Sequence, residues 1–383
     1  MGFIVFISTF LTLYSSLHFY AFMKAKKALV LGTGPLIFLG LFMVAMVLSP
    51  IIVRTAENLG LEQVAKITAY IGYSWMGLLF LFVSASLILD AFRLLLHFAR
   101  IASDKNLAIL ALSAHHAFLA ALSLALLAGV YGFVDALNIR TEHVTLSTAK
   151  LAETERPIRI AQISDVHLGV IVREYRLGRI LAEVRAASPD LFVSTGDLVD
   201  GQTDNLAGAM EMLRDIQPRY GKFAVMGNHE FYAGTDLSME FMAGAGFTVL
   251  RGEGATVSDL FNIAGVDDPA GRGFSLRGRS DEKAVLSELP PDKFTVLLKH
   301  RPLVDKNALG LFDLQLSGHV HKGQIFPFSL IVRLFFPLIS GLYELPSGST
   351  LYVNRGSGTW GPPMRVFSPP EVTIIDIAPE KRS

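Results

Sequence analysis

Five short motifs in the second half of the chain place metal-binding side chains just after apolar runs. SDVH supplies Asp165 and His167, and GDLVD supplies Asp197 and Asp200. GNHE supplies Asn228 and His229, KH supplies His300, and SGHVH supplies His319 and His321. One aspartate after a strand is usually a helix cap or a turn residue, and one histidine is usually a satisfied surface or core group. Five motifs in one chain point elsewhere. Carboxylate, amide oxygen and imidazole together suit divalent metals such as Mn, Fe or Zn. Gly196, Gly227 and Gly318 permit the tight turns that aim such ligands inward.

The elements that position these residues follow from the apolar patterning. Strands are predicted over Pro157–Ile163, Asp190–Thr195 and Lys222–Met226, with an amphipathic helix over Arg173–Ala187. Further strands are predicted at Leu260–Ala264, Phe294–Leu298, Asp313–Leu316, Thr350–Val353 and Val372–Ile377. Strands alternating with helices, then a strand-rich end, describe an α/β layered domain. Each motif falls at the carboxyl end of its strand, where open α/β sheets gather their sites.

The composition divides the chain. Residues 1–139 hold nearly all the long apolar runs, residues 140–156 read as a linker or edge strand, and residues 157–383 carry the mixed polarity of a water-soluble domain. The formal net charge is zero, with neither a basic stripe nor aromatics interleaved with Lys or Arg, so no nucleic-acid partner is expected. There is no cysteine, which excludes disulfides, thiolate ligands and a cysteine nucleophile.

Four runs in the first part are long enough to cross a hydrocarbon core about 30 Å thick: Gly2–Met23, Ala28–Val53, Ile67–Leu96 and Leu107–Val134. The first is read as a retained helix, because its lysines follow the apolar core, whereas in a cleaved signal peptide they precede it. Lys24, Lys26 and Lys27 in the first loop and Arg93, Arg100 and Lys105 around the third outnumber Arg54 and Lys66 in the second. The positive-inside rule then predicts a multi-pass protein of the cytoplasmic (inner) membrane with the soluble domain on its outer, periplasmic side. His115 and His116 fall inside the fourth run, where polar contacts within the bundle are the expected role.

The five motifs, in this order, and the downstream stretch LYVNRGSGTWGPPMRVFSPPEVTII resemble the calcineurin-like metallophosphoesterase superfamily, in particular its membrane-associated bacterial branch. The resemblance covers about residues 157–379. It implies a four-layer α/β/β/α domain, here behind a bundle of about four transmembrane helices, and two divalent metal ions. By that resemblance Asp165, His167, Asp197 and His321 hold the first ion. Asp197 bridges to the second, whose other ligands are Asn228, His300 and His319. The segment usual in this branch, GHTHGGQ, here reads GHVHKGQ, so Val320 and Lys322 depart from it while both histidines remain.

The resemblance implies hydrolysis of phosphate esters, with a metal-bound water as nucleophile. His229 would donate a proton to the leaving oxygen and Asp200 would orient it. The apolar runs suggest a lipid or lipid-linked phosphate or pyrophosphate, such as a UDP-diacylglucosamine-type compound, with membrane lipids as partners. The unusually apolar stretch Gln324–Tyr343 agrees with that, either dipping into the membrane interface or packing on the protein's own helices. Two other readings stand beside it: a membrane-anchored phosphodiesterase for soluble nucleotides, and a non-catalytic metal-binding receptor or scaffold.

Overall fold

The structure, a computed structural model, describes residues 2–103, 112–152, 156–201, 206–273 and 281–380. The chain divides into two compact units, a helical one of Met1–Val134 with Gly361–Val366, and a second of Asp135–Trp360 with Phe367–Ser383.

The helical unit contains α1 (Gly2–Leu29), α2 (Thr33–Asn58), α3 (Glu62–Ser103) and α4 (Ala114–Asp135). Among the described residues α2, α3 and α4 are long and apolar enough to cross a membrane. The start expected for the fourth run, 107–111, lies outside the described residues. Small side chains mark where helices approach. Ala65, Ala69, Ala117, Ala121 and Ala125 are buried, while Leu124, Leu127, Val130 and Val134 are exposed, the pattern of an apolar outer surface around tightly packed small residues. A Cβ on Gly72 would lie 2.2 Å from Ser49 Oγ, so only glycine lets α3 pass α2 there. Asp90, which interrupts the third run, accepts hydrogen bonds from Tyr20 (2.7 Å) and Lys24 (2.5 Å). His115 sits 3.1 Å from the Ala28 carbonyl and His116 2.8 Å from Ser113 Oγ. Both histidines thus have polar partners within the bundle. Residues 361–366 of the tail belong here too: Arg365 N donates to the Gly132 carbonyl (2.9 Å), and a Cβ on Gly77 would strike Met364 at 2.7 Å.

The second unit is built on β1 (Arg140–Thr148), β2 (Ile158–Ile163), β3 (Leu191–Ser194), β4 (Lys222–Ala224), β5 (Thr248–Val249), β6 (Glu253–Val257), β7 (Phe261–Val266), β8 (Phe294–Lys299), β9 (Leu314–Ser317), β10 (Gly341–Glu344), β11 (Thr350–Val353) and β12 (Glu371–Pro379). Its helices are α5 (Glu174–Ala187), α6 (Ala207–Arg214), α7 (Asn228–Ala233), α8 (Thr235–Gly244), α9 (Glu282–Ser287) and α10 (Phe328–Phe335). The strands form two mixed six-stranded sheets, ordered β1-β12-β2-β3-β4-β5 and β10-β11-β9-β8-β7-β6.

Alternation along the strands decides the layers. Ala161, Ile163 and Phe192 pack with Leu177, Ile180, Leu213 and Met242 of α5, α6 and α8 on one face of the first sheet. Their neighbours Ile160, Leu191 and Val193 face Val296, Leu298, Leu314 and Leu316 of the second sheet. On the far side of that sheet, Ala264 and Leu297 meet Val285 and Leu286 of α9. The result is helix, sheet, sheet, helix.

The linker expected over 140–156 is a strand for its first nine residues, pairing in parallel with β12 from Arg140↔Glu371 to Thr148↔Pro379. Of the two alternatives read there, linker or edge strand, the edge strand holds for these nine residues, whose polar composition suits a strand with one solvated face.

Candidate metal centre

The site lies at the carboxyl ends of β2, β3 and β4 of the first sheet and β8 and β9 of the second, so both sheets contribute to it. After β2 the backbone turns sharply: Asp165 and His167 have φ of 51° and 55°, and Asp197 after β3 has 52°. His319 (71°) and His321 (47°) after β9 are also left-handed. Non-glycine residues adopt this region at a cost of about 1–3 kcal/mol and persist there only when surrounding contacts enforce it.

Those contacts are visible. Asp165 N donates to Gly196 O and His167 N to Asp197 O (3.0 Å each), stitching the two loops together. Gly318 N donates to His300 O (2.8 Å), and His319 N reaches the Asp165 carboxylate at 2.9 Å. A Cβ on Gly318 would fall 1.9 Å from Ser164 Oγ, and one on Gly227 2.1 Å from Asp197 Oδ1. These two glycines serve close approach of neighbouring loops. From the tail, Ser357 N donates to Ser164 O (2.7 Å) and Gly358 N to Asp165 O (3.0 Å), so the downstream motif braces the first loop from behind.

The structure brings the predicted residues together. Asp165, His167 and His321 form one group whose ligand atoms all lie within 4.8 Å of one another; His167, Asp197 and His229 form a second, and Asp197, His300 and His319 a third. Asp197 Oδ2 is 3.1 Å from His300 Nε2 and 3.9 Å from His167 Nε2, so one carboxylate lies between the two sets of imidazoles. His167 Nε2 faces His321 Nε2 at 3.1 Å, and His300 Nε2 faces His319 Nδ1 at 3.1 Å. Asn228 heads α7, and its buried Oδ1 has no hydrogen-bond partner among the described residues.

Is this donor set suited to cations? His300 Nδ1 lies 2.8 Å from the Thr195 carbonyl, an acceptor only, so Nδ1 carries a proton and Nε2 is the nitrogen turned toward the cluster. Burial and the neighbouring His229 push the His167 pKa down to about 3, and burial with His300 does the same for His319. Both are neutral imidazoles, the ligating form. Against the cost of burial, His321 and His300 hold Asp165 well below the usual carboxylate range, and His300 and His229 do so for Asp197. Burial opposes charge on His300 too, yet Asp197 raises it to about 10. A divalent cation would take the place of that proton. Converging lone pairs, ionised carboxylates and an orphaned amide oxygen fit two divalent metal ions.

Beside this cluster His229 Nδ1 hydrogen-bonds to Asp200 Oδ1. Burial lowers the His229 pKa, but Asp200 and Asp197 outweigh it and raise it to about 9, so the ring is protonated at neutral pH. Its backbone N donates to Asp197 Oδ1 (2.9 Å). The rings of Tyr232 and Trp360 flank it edge-on at 5.6 and 5.7 Å.

Sequence reasoning missed Glu230. This carboxylate is fully buried and accepts four backbone N–H groups: Leu198 (2.6 Å) and Val199 (3.1 Å) on Oε1, and Asp197 (3.0 Å) and Gly227 (2.7 Å) on Oε2. It ties the second motif to the third. Its only signal was its place at the end of GNHE, three residues after the turn glycine, where a capping carboxylate sits. Of the two departures in GHVHKGQ, Val320 is buried against Ile339, Leu351 and Val353, a packing role. The charged groups acting on Lys322 are Arg355, Glu371, Arg333 and Arg140, none of them a candidate metal ligand.

Comparison with known proteins agrees with this geometry. Residues 158–323 match the family model described as calcineurin-like phosphoesterase. A metallophosphoesterase of Aquifex aeolicus, itself uncharacterized, is 42% identical over 66% of this chain and 97% of its own length. The Bacillus subtilis metallophosphoesterase YkuE, also uncharacterized, is 31% identical over 65% of this chain and 90% of its own. A transmembrane protein with metallophosphoesterase domain from Danio rerio is 34% identical over 64% of this chain, which spans 59% of that protein. With a candidate two-metal donor set at its strand ends and apolar helices before it, the chain is a membrane protein of the calcineurin-like phosphoesterase family and a metal-dependent phosphoester hydrolase.

Proposed function

We propose that the protein is a dinuclear phosphoesterase of the inner membrane that hydrolyses a phosphate ester or pyrophosphate bond in a lipid or lipid-linked substrate. The observation that carries the dinuclear reading is Asp197, whose carboxylate lies between the His167 and His300 groups. Asp165, His167, Asp197 and His321 would hold one cation, and Asp197, Asn228, His300 and His319 the other. When bound, the ions supply Lewis acidity and a water activated for in-line attack on phosphorus.

The chain's own residues do the rest. His229, protonated because Asp200 and Asp197 stabilise its charge, gives a proton to the leaving oxygen through Nε2. Asp200 holds Nδ1 and thereby fixes which nitrogen faces the substrate. Glu230 keeps the Asp197 and Asn228 loops in register through backbone hydrogen bonds.

The lipid reading rests on the membrane helices, which hold the enzyme where such substrates are found. The Lys and Arg distribution supports a multi-pass topology with the phosphoesterase unit on the periplasmic side. A second reading, a soluble nucleotide as substrate, is favoured by one observation: Tyr232 and Trp360 are 58% and 49% exposed beside His229, where a base can stack.

The test is to purify the protein in detergent, load it separately with manganese, zinc, iron and magnesium, and assay a generic phosphodiester, nucleotides and lipid pyrophosphates beside Asp197→Asn. Metal-dependent turnover, highest on the lipid substrates and lost in the variant, is expected. Folded, metal-loaded protein without turnover on any of them would overturn the proposal, and preference for nucleotides would establish the second reading.

A further inference from the structure

Amphipathic helices on soluble domains turn their apolar side inward. Helix α10 departs from this. Val332 and Phe336, one turn apart, pack inward against the cluster of Val320, Ile339, Leu351 and Val353. The opposite side is apolar as well: Leu330, Ile331 and Leu334 are 59%, 47% and 79% exposed, with Phe335 beside them at 71%. Phe326, two residues before the helix, is exposed as well, its ring 6.0 Å from that of exposed Phe367. Residues 323–343 contain no Asp or Glu, while Lys322 and Arg333 supply positive charge. An exposed apolar helix face with cations in the same segment and no acidic residue matches a bilayer interface containing anionic headgroups, not water.

Two further observations favour that occupant. Residues 136–139 alone separate α4, a helix long and apolar enough to cross a membrane, from β1 in sequence. The helix is also built into the site. It begins seven residues after His321, a Cβ on Gly323 would lie 2.4 Å from Ser329 Cα, and the Phe336 ring packs edge-on to His319 at 5.2 Å.

We propose that α10 inserts its Leu330–Ile331–Leu334 face into the lipid interface and delivers a membrane-borne phosphate to the adjoining centre. The delivery role rests on the lipid-linked reading above; the insertion does not. The absence of cysteine makes the full chain suited to single-site labelling. Leu334→Cys, and Glu240→Cys on α8 as control, are labelled with an environment-sensitive NBD group and reconstituted in nanodiscs of phosphatidylcholine and phosphatidylglycerol. The label at 334 should shift to the blue and lose about half its emission to a lipid-borne nitroxide quencher, with neither change at 240. Emission at 334 as in water would overturn insertion. So would a blue shift without quenching by lipid, the mark of packing against protein. Independently, Ile331→Glu with Leu334→Glu should raise KM for a lipid pyrophosphate about tenfold and leave KM for a water-soluble diester unchanged. Equal effects on both substrates, or none, would overturn the delivery role. Failure of turnover altogether would overturn the enzymatic reading while the fluorescence still decides insertion.

Discussion

Replacing Asp200 with Asn tests the proton-donor assignment directly. The amide preserves shape but removes the charge whose carboxylate oxygen bonds His229 Nδ1. Two unit charges about 4 Å apart interact by about 4 kcal/mol at an effective dielectric near 20. The Asp200 side chain is 30% exposed, and solvent screening reduces this to about 2 kcal/mol. That corresponds to about 1.5 pKa units. The sign follows from the direction of the shift. The folded-state pKa of His229 is raised to about 9, so the acid form is present below that value and lost as pH rises through it. In Asp200→Asn the alkaline limb of kcat/KM should therefore move down by about 1.5 pH units, while kcat at its optimum falls about tenfold to a hundredfold through lost orientation. Bound cations act on both proteins alike, so the displacement between the two profiles is diagnostic. The assay is a kcat/KM profile from pH 6 to 10 on a phosphodiester with a poor leaving group, with metal content measured alongside. An unmoved alkaline limb, at unchanged metal content, would refute the assignment of His229 as the donor tuned by Asp200.

Other perturbations have equally definite outcomes. Asp197→Asn should lower bound metal by one to two ions per chain on elemental analysis and cut turnover by about a thousandfold or more, because the shared carboxylate neutralises both cations. Glu230→Gln turns an amide NH2 toward two backbone donors, since each carboxylate oxygen now accepts two of them; thermal unfolding should show a loss of about 2–4 kcal/mol. Gly318→Ala forces a methyl to within 1.9 Å of Ser164 Oγ and 2.3 Å of Asp165 Oδ2; it should lower the melting temperature by several degrees and weaken metal retention against a chelator.

How much of this was legible beforehand depended on the range of the physics involved. The strands preceding the motifs were legible because each is a short apolar run bounded by turn residues, and β2, β3, β8 and β9 lie within about two residues of their predicted bounds. β1 was legible only as one of two alternatives, linker or edge strand, because its pairing with β12 lies more than two hundred residues away; β10 was not legible, since its side chains alternate between partly buried and exposed. Glu230 was invisible as a clamp because its role is fixed by four N–H groups that only the folded loops bring together.

By itself the sequence determined the local quantities: which segments are apolar enough for a membrane, which periodicity each element has, and which ligand types follow each strand, including the absence of any thiol. These depend on side-chain chemistry and spacing along the chain, which folding does not alter. The tertiary structure alone decided convergence: that Asp197 stands between two imidazole groups from opposite sheets, that His229 meets Asp200, and that five candidate ligand residues adopt left-handed backbone angles. It also decided that α10 turns apolar residues outward, and that residues 361–366 group with the helical unit instead of the second one. Each of these depends on contacts between segments tens to hundreds of residues apart. Their energies exist only once both sheets have packed and brought those segments together.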